Sequence, residues 1–415
     1  MSAEKTSRLS VLRHRSFAHF WLSRVAGSLA TQMQTVAVSW QMYDLTGSPF
    51  DLGLVGLAQF LPLVSLMLVV GHVADRYDRK SIVRMSQIVD GAAMALLAAG
   101  TLWGWLSREL ILAVVFIFGA ARAFQQPTQQ TLLPLIVPTA LLSRAVAASS
   151  SSNQIATIVG PAAGGLLFAV SAPLVYALCA LFYFGAAVLT TFIKVERTPP
   201  LRTPVTLQTV FAGIAYIRRQ PVVLGAITLD LFAVLLGGAT ALLPIFARDV
   251  FGTGPGGLGL LRLSPAVGAL AISILLAYWP MHRKAGPVMF VTVACFGAAT
   301  IVFGLSESFW LSMAALAVLG ASDMVSVVIR QTLIQLGTPN EMRGRVSAVN
   351  SLFIGTSNQL GDFRSGLTAE WFGVVPSVLI GGIGTLIVVA ASLKIFPQLA
   401  RINSVEDVRK DIPSS

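Results

Sequence analysis

The chain has 415 residues, of which 55% are hydrophobic and only 11% are charged. A soluble domain contains about 25% charged residues, so this composition excludes a chain built of ordinary soluble domains. The formal net charge of +11 would by itself suggest a nucleic-acid partner. The basic residues, however, lie mainly in gaps between apolar segments, as in multi-pass membrane proteins, and no nucleic-acid partner is expected.

Twelve apolar segments are long enough to cross a bilayer as helices, which requires about 20 residues each. Their predicted limits are 17–43, 50–70, 82–104, 109–132, 145–169, 173–193, 222–247, 256–279, 287–306, 309–332, 343–369 and 373–396. These runs are too long for the strands of a membrane barrel and lack the two-residue alternation of such strands. Basic residues gather in alternate gaps, and the other gaps contain only Arg108 and Arg248. The positive-inside rule therefore places both termini in the cytoplasm and requires an even number of spans.

The longest polar segment, residues 194–220, divides the spans into two sets of six. The predicted organisation is a cytoplasmic N-terminus (1–16), an N-terminal half (17–193), a cytoplasmic linker (194–220), a C-terminal half (221–396) and a cytoplasmic tail (397–415). Within the linker, Leu207, Phe211, Ile214 and Ile217 recur at helical spacing. This pattern predicts an amphipathic helix on the cytoplasmic membrane surface, with a partner-binding helix as the alternative.

The loop between the second and third spans carries a recognisable motif. Residues 71–80 read Gly-His-Val-Ala-Asp-Arg-Tyr-Asp-Arg-Lys. This resembles the signature loop of the major facilitator superfamily, Gly-x-Leu-Ala-Asp-Arg-x-Gly-Arg-Lys, with Val73 in place of Leu and Asp78 in place of the second Gly. The resemblance implies an all-α membrane protein with twelve transmembrane helices in two six-helix halves. An ordinary basic turn between helices is the alternative.

By the same resemblance, three residues of this loop form a conformational latch that holds the cytoplasmic side closed. Gly71 would permit close helix approach, and Asp75 would face the N-terminus of the eleventh span, where the helix dipole favours a carboxylate. Arg79 would belong to the same charge network. The corresponding loop between the eighth and ninth spans keeps only a short basic remnant at residues 282–284.

Two further motifs resemble those of efflux proteins. Residues 122–126 of the fourth span, Arg-Ala-Phe-Gln-Gln, resemble the Arg-x-x-Gln-Gly element of proton-coupled drug exporters. The fifth span contains the Gly-Pro-x-x-Gly-Gly core of a motif associated with antiporters, as Gly160, Pro161, Gly164 and Gly165. Ala156 replaces the upstream glycine of that motif. Close packing or a helix kink is the alternative reason for these residues.

Over nearly its whole length the chain resembles the branch of the superfamily that contains the bacterial enterobactin exporter and macrolide efflux proteins. The loop at 74–80, the linker stripe at 207–217 and the turn at 338–345 carry this resemblance. It implies efflux of an amphiphilic small molecule from a bacterial cell. In the turn, Thr338 is the predicted N-cap of the eleventh span, Pro339 its first residue and Glu341 the partner in a capping box.

Four charged residues lie deep within predicted spans, where each costs on the order of 3 kcal/mol and so needs a specific reason. They are Arg24, Arg122, Asp230 and Asp323, in the first, fourth, seventh and tenth spans. The resemblance implies that these spans line a central cavity, with two cations from one half and two anions from the other. We hypothesise that one of the aspartates carries the coupling proton. Static ion pairs that aid helix packing are the alternative.

Polar residues at helical spacing support a cavity that binds cargo. Those predicted to line it are Gln32, Gln126, Gln129, Asn350 and Asn358. Asp90 in the third span and Arg262 in the eighth are interpreted as structural.

The sequence lacks the motifs of several classes of catalytic and binding site. It contains no phosphate-binding loop, its four histidines lack metal-ligand spacing, and no nucleophile motif occurs. We therefore predict no enzyme activity, no cofactor and no metal. The predicted function is export of an amphiphilic small molecule by proton antiport, with cargo, protons and lipid as partners, by a monomer in the bacterial inner membrane. The alternatives are a facilitator, importer or lipid flippase on the same fold, and a sensor or scaffold that transports nothing.

Overall fold

The protein is described by a computed structural model covering residues 14–403, apart from 67–68, 71–72, 74–75, 139–140, 196–206 and 280–283. Every regular element within this part of the chain is helical. The chain folds into two compact units. The first comprises residues 1–41 and 61–204, and the second comprises residues 42–60 and 205–415. The change of unit at 204 and 205 falls inside the polar segment that divides the two sets of spans.

Six long helices precede that segment. They are α1 (Arg15–Thr46), α2 (Pro49–Ser65), α3 (Arg79–Leu102), α4 (Arg108–Ile136), α5 (Leu142–Val170) and α6 (Ala172–Thr191). Seven more follow: α7 (Leu207–Arg219), α8 (Pro221–Gly237), α9 (Gly254–Tyr278), α10 (Ala285–Leu305), α11 (Phe309–Leu336), α12 (Asn340–Phe372) and α13 (Val374–Ile395). Every predicted span overlaps one of these helices, and α7 lies in the linker.

Nine helices of the described chain are long and apolar enough to cross a membrane, counting α8 with its continuation to Val250. The remaining predicted spans correspond to α2, which has 17 residues, and to α1 and α12, which have 32 and 33 residues and a higher polar content. The prediction of an all-α membrane protein is confirmed.

Glycines set the helix packing in the first unit, where α5 lies directly against α1. A Cβ atom at Gly164 would lie 2.8 Å from Cα of Met33, and one at Gly160 would overlap the side chain of Gln32. Close backbone approach of this kind is the usual role of small residues between membrane helices. Pro161 and Gly165 are buried in the same stretch of α5.

The second unit contains a helix break that is not predicted from the sequence. The seventh span was expected as one helix over 222–247, but α8 ends at Gly237, and Gly238 has ψ of 58°. The chain continues as a 3-10 turn (Ala239–Leu242), a short α-helical turn and a π-helical turn (Phe246–Val250). A Cβ atom at Gly238 would lie 3.0 Å from the backbone of Gly361 on α12, so the break places two backbones in contact.

The linker helix α7 packs against the second unit through part of its apolar stripe. Ile217 is buried among residues of α8, α11 and α12, with Ile214 beside it, whereas Phe211 is 62% exposed. The hydroxyl of Tyr216 donates a hydrogen bond to the carbonyl oxygen of Gly337, 2.8 Å away, just after α11 ends. The stripe therefore divides between a protein-facing part and an exposed part.

The predicted capping box before α12 is wrong. Helix α12 begins at Asn340, and Pro339 occupies the N-cap position with an extended ψ of 153°. Thr338 lies one residue further out, where its buried hydroxyl has no hydrogen-bond partner among the described residues. Pro339 has the φ that a first helical residue would need, but its ψ is extended and so delays the helix by one residue.

Candidate functional site

A buried ion pair joins α8 and α11 in the second unit. Arg330 Nη1 donates to Asp230 Oδ2, and the two residues are only 2% and 4% exposed. Ser326 adds a longer hydrogen bond to Asp230 Oδ1, at 3.4 Å. The sequence predicts two anions in this half, Asp230 and Asp323, and the structure adds the cation Arg330 beside Asp230. Arg330 lies within the predicted tenth span, so a complete count of charges in the spans would have included it.

Asp230 and Asp323 line one small pocket in the second unit. The other lining residues are Ala233 and Val234 from α8, Val293 and Phe296 from α10, and Ser322 and Ser326 from α11. Asp323, Ser326 and Arg330 follow one another at helical spacing, so they share a face of α11. Asp323 is half-buried and has no hydrogen bond or ion pair with any described residue. With Asp230 matched by Arg330, Asp323 is the carboxylate without a partner in this pocket.

The two predicted cations lie in the first unit. Arg24 on α1 and Arg122 on α4 are both half-buried, and neither forms an ion pair with a described residue. Arg122 lies within electrostatic range of Asp90 on α3. The first unit therefore contains a buried acid of its own, Asp90, for which the sequence predicts a structural role.

The predicted cargo-binding residues differ in their surroundings. In the first unit, Gln32 donates to Thr157 Oγ1 at 3.1 Å, Gln129 is half-buried and Gln126 is exposed. In the second unit, Asn350 is buried with no partner for its Oδ1 among the described residues, and Asn358 is exposed and donates to its own helix. Nε2 of Gln32 is thus engaged, Gln126 is open to solvent, and the unsatisfied Oδ1 of Asn350 is buried.

Only part of the predicted latch can be located. Gly71 and Asp75 lie outside the described residues, and Arg79 is the first residue of α3. Asp78, which departs from the superfamily motif, is the N-cap of this helix. Its carboxylate accepts hydrogen bonds from the backbone N and the hydroxyl of Ser81, at 3.0 and 2.9 Å. Asp78, which stands where the superfamily motif has glycine, therefore caps the N-terminus of α3.

A second polar cluster surrounds the break after α8. Arg364 on α12 donates to the carbonyl oxygen of Leu236 and to Ser365 Oγ. Asp362, on the same helix, interacts with Arg262 and with the hydroxyl of Thr240. Backbone groups freed by a helix break need partners inside a membrane, and Arg364 supplies one. In the described part of the chain, no group of His, Cys, Asp and Glu residues could hold a metal ion.

Comparison with known proteins agrees with this architecture. The model of the transmembrane secretion effector family within the major facilitator superfamily matches residues 6–412. Macrolide efflux protein A of Streptococcus pyogenes is 25% identical over 392 residues, covering 90% of this chain and 94% of that protein. The enterobactin exporter EntS of Escherichia coli O1:K1 / APEC is 26% identical over 409 residues, covering 95% of each.

A solved structure shows the same fold. The crystal structure of a bacterial homolog of the human lysosomal transporter Spinster superposes with a TM-score of 0.72 at 13% identity, covering 99% of this chain and 100% of that one. The resemblance found in the sequence motifs is confirmed. The relatives and the fold are those of transporters of small molecules. The chain belongs to the transmembrane secretion effector family of the major facilitator superfamily, and it is a multi-pass membrane transporter.

Proposed function

We propose that this transporter exports an amphiphilic small molecule by proton antiport, through alternating access across the bacterial inner membrane. The observation that carries the proposal is the pocket between α8, α10 and α11, where Asp323 has no partner beside the ion pair of Asp230 and Arg330. Relatives named for macrolide efflux and enterobactin export support the direction and the amphiphilic cargo.

The pocket suggests different roles for its two aspartates. Asp230 is paired with Arg330, and removing Arg330 would leave a buried negative charge without a partner. Asp323 has no such partner, so a proton that binds to it would neutralise a partly buried charge with which no cation is paired. Of the two aspartates, we assign the coupling proton to Asp323. Asp230 then keeps α8 and α11 together.

We propose further roles for the other predicted site residues. Arg24 and Arg122 would attract anionic or polar groups of the cargo in the first unit, and Gln126 and Asn350 would contribute polar atoms. The latch residues Gly71, Asp75 and Arg79 would hold the cytoplasmic side closed in one state. Cytoplasmic termini and action as a monomer complete the proposal.

Proteoliposomes loaded at acidic pH and diluted into alkaline buffer test the proposal, with a radiolabelled macrolide and iron-free enterobactin as probes. Antiport predicts accumulation of at least one probe above its external concentration, and collapse of the gradient with a protonophore should abolish it. Equilibration that ignores the gradient would instead indicate a facilitator. Accumulation driven by an interior-alkaline gradient would indicate an importer.

A measurement that does not depend on the choice of probe complements this assay. Cells lacking the transporter should retain a metabolite that cells with the transporter release, and an untargeted comparison of cell extracts and medium would identify it. Identical metabolite profiles in both strains, together with no flux of either probe, would favour a sensor or scaffold on the same fold.

A further inference from the structure

A column of buried polar side chains runs along the α1, α3 and α6 interface of the first unit. At one level, Gln87 Nε2 donates to Ser23 Oγ at 2.9 Å, and Thr190 Oγ1 donates to Gln87 Oε1 at 2.9 Å. The hydroxyls of Ser23 and Thr190 are 3.0 Å apart and close the ring. All three residues are buried, and their hydrogen-bonding groups satisfy one another.

At a second level, Tyr183 on α6 connects to α1. Its hydroxyl lies 2.9 Å from Thr31 Oγ1 and donates to Gln34 Oε1 at 3.2 Å. Tyr183 and Gln34 are buried, and Thr31 also donates to a carbonyl of its own helix. This level is therefore also internally satisfied.

Asp90 lies next to these two satisfied levels but is itself unsatisfied. It follows Gln87 by three residues, which is close to one turn of α3, and it lies within electrostatic range of Tyr183. The residue is 1% exposed, and neither carboxylate oxygen has a hydrogen-bond partner among the described residues. An ionised carboxylate left buried and unpaired would be very costly, far more than a neutral carboxylic acid.

The charged and titratable groups that face Asp90 are few. Among the described residues, α4 contributes Arg122 and α6 contributes Tyr183, whose hydroxyl is hydrogen-bonded to the uncharged Thr31 and Gln34 of α1. Arg122 is near enough to interact electrostatically but makes no ion pair with Asp90. The neighbouring Gly91 packs on the ring of Phe184, where a Cβ atom would lie 2.8 Å from the ring. α3 and α6 are therefore closely packed at this level.

We propose that Asp90 is a second proton-binding carboxyl, located in the first unit and additional to Asp323. In the state described here, one proton is bound to a carboxylate oxygen of Asp90, and the neutral acid fits the unpaired site. When Arg122 moves into contact, its guanidinium becomes the charge partner, and the proton leaves to water. The proposal rests on proton antiport as the proposed function, because it assigns one proton site to each unit.

Infrared difference spectroscopy of the purified transporter in lipid tests this directly, since it reports the carbonyl stretch of protonated carboxylic acids. In a pH titration, the wild-type protein should show a component that Asp90→Asn lacks and Asp323→Asn retains. Identical carboxylic acid bands in wild type and Asp90→Asn at every pH would overturn the proposal. This readout does not need transport, so it remains informative if the antiport assay fails.

A second measurement avoids substitutions, in case Asp90→Asn does not fold. A hydrophobic carbodiimide adds to protonated carboxylic acids inside membranes, and mass spectrometry can locate the adduct in the wild-type protein. We expect modification of Asp90 that decreases as pH rises. Modification of Asp323 without any modification of Asp90 across the same pH range would contradict the proposal. In transport assays, Asp90→Asn should reduce gradient-driven accumulation, and Asp90→Glu should restore part of it.

Discussion

The two units of this transporter hold buried acidic groups in different ways. In the second unit, Asp230 is matched by Arg330 on the facing helix. In the first unit, Asp90 is equally buried, and its nearest cation, Arg122, acts only at a distance. A carboxylate inside a membrane protein needs either a charge partner, as Asp230 has, or a bound proton, as we propose for Asp90. Only in the second arrangement does the stability of the site depend on a bound proton.

Separating the ion pair should have the largest effect. Arg330→Met would leave Asp230 buried and uncompensated, which is expected to lower the free energy of unfolding by about 3 to 5 kcal/mol. The double variant Asp230→Asn with Arg330→Met removes both charges and should recover most of that loss. Thermal unfolding of the purified proteins in one detergent provides the comparison. A single variant as stable as the double variant would mean that the pair does not hold α8 to α11.

The packing of the first unit provides the next largest effect. Gly164→Ala would place a Cβ atom against the backbone of Met33 and should destabilise the protein by about 1 to 3 kcal/mol through overpacking. Gly185→Ala on α6 is the matched control, because nothing lies within 4 Å of its added Cβ atom. The control should be neutral or slightly stabilising, since Ala favours helix by up to about 1 kcal/mol. Equal unfolding temperatures for the two variants would remove the packing explanation for this glycine of the antiporter-like motif.

The start of the helix that carries Asp90 should respond more weakly. Asp78→Ala removes the N-cap of α3 and should cost about 1 kcal/mol, whereas Asp78→Asn retains a capping oxygen and should cost less. Denaturant titration of both variants measures the difference. If alanine and asparagine behave alike, the carboxylate of Asp78 has a role other than capping, such as the cytoplasmic charge network.

A hydrogen bond just after the helix that carries Asp323 and Arg330 should matter least. Tyr216→Phe removes the hydrogen bond to Gly337 and should cost about 0.5 to 1.5 kcal/mol. Burial raises the pKa of the Tyr216 hydroxyl above its ordinary value of 10.0. The folded state therefore holds this proton more tightly, and its contribution to stability is complete below pH 10 and is lost as the pH rises through the folded-state pKa. Wild type should lose stability faster than Tyr216→Phe above that pH, and parallel curves would contradict this.

The sequence was sufficient to predict the helical fold and the superfamily, because both depend on local properties. Runs of about 20 apolar residues indicate membrane spans whatever residues surround them. The ten-residue loop motif can likewise be recognised from its own residues alone. The polar content of α1 and α12 was also visible as stripes of residues such as Gln32 and Asn350. Predictions of this kind need no knowledge of which helices touch.

Apart from the capping box before α12, which failed on the local backbone of Pro339, the predictions that were wrong or incomplete required knowledge of contacts between distant residues. Asp230 and Arg330 are separated by 100 positions, so their pairing depends on how α8 meets α11. The break at Gly238 depends on contact with Gly361. The carboxylate of Asp90 lacks a hydrogen-bond partner among the described residues because α1, α4 and α6 place none beside it. Hydrophobic periodicity contains none of this information, because it describes one helix at a time.

Gradient-driven accumulation in proteoliposomes separates the roles of the two aspartates when wild type, Asp323→Asn and the double variant Asp230→Asn with Arg330→Met are compared. If the unpaired Asp323 carries the coupling proton and the Asp230–Arg330 pair is structural, wild type and the double variant accumulate cargo against its gradient, while Asp323→Asn only equilibrates it. Full accumulation by Asp323→Asn together with its loss in the double variant would contradict the assignment of the coupling proton to Asp323.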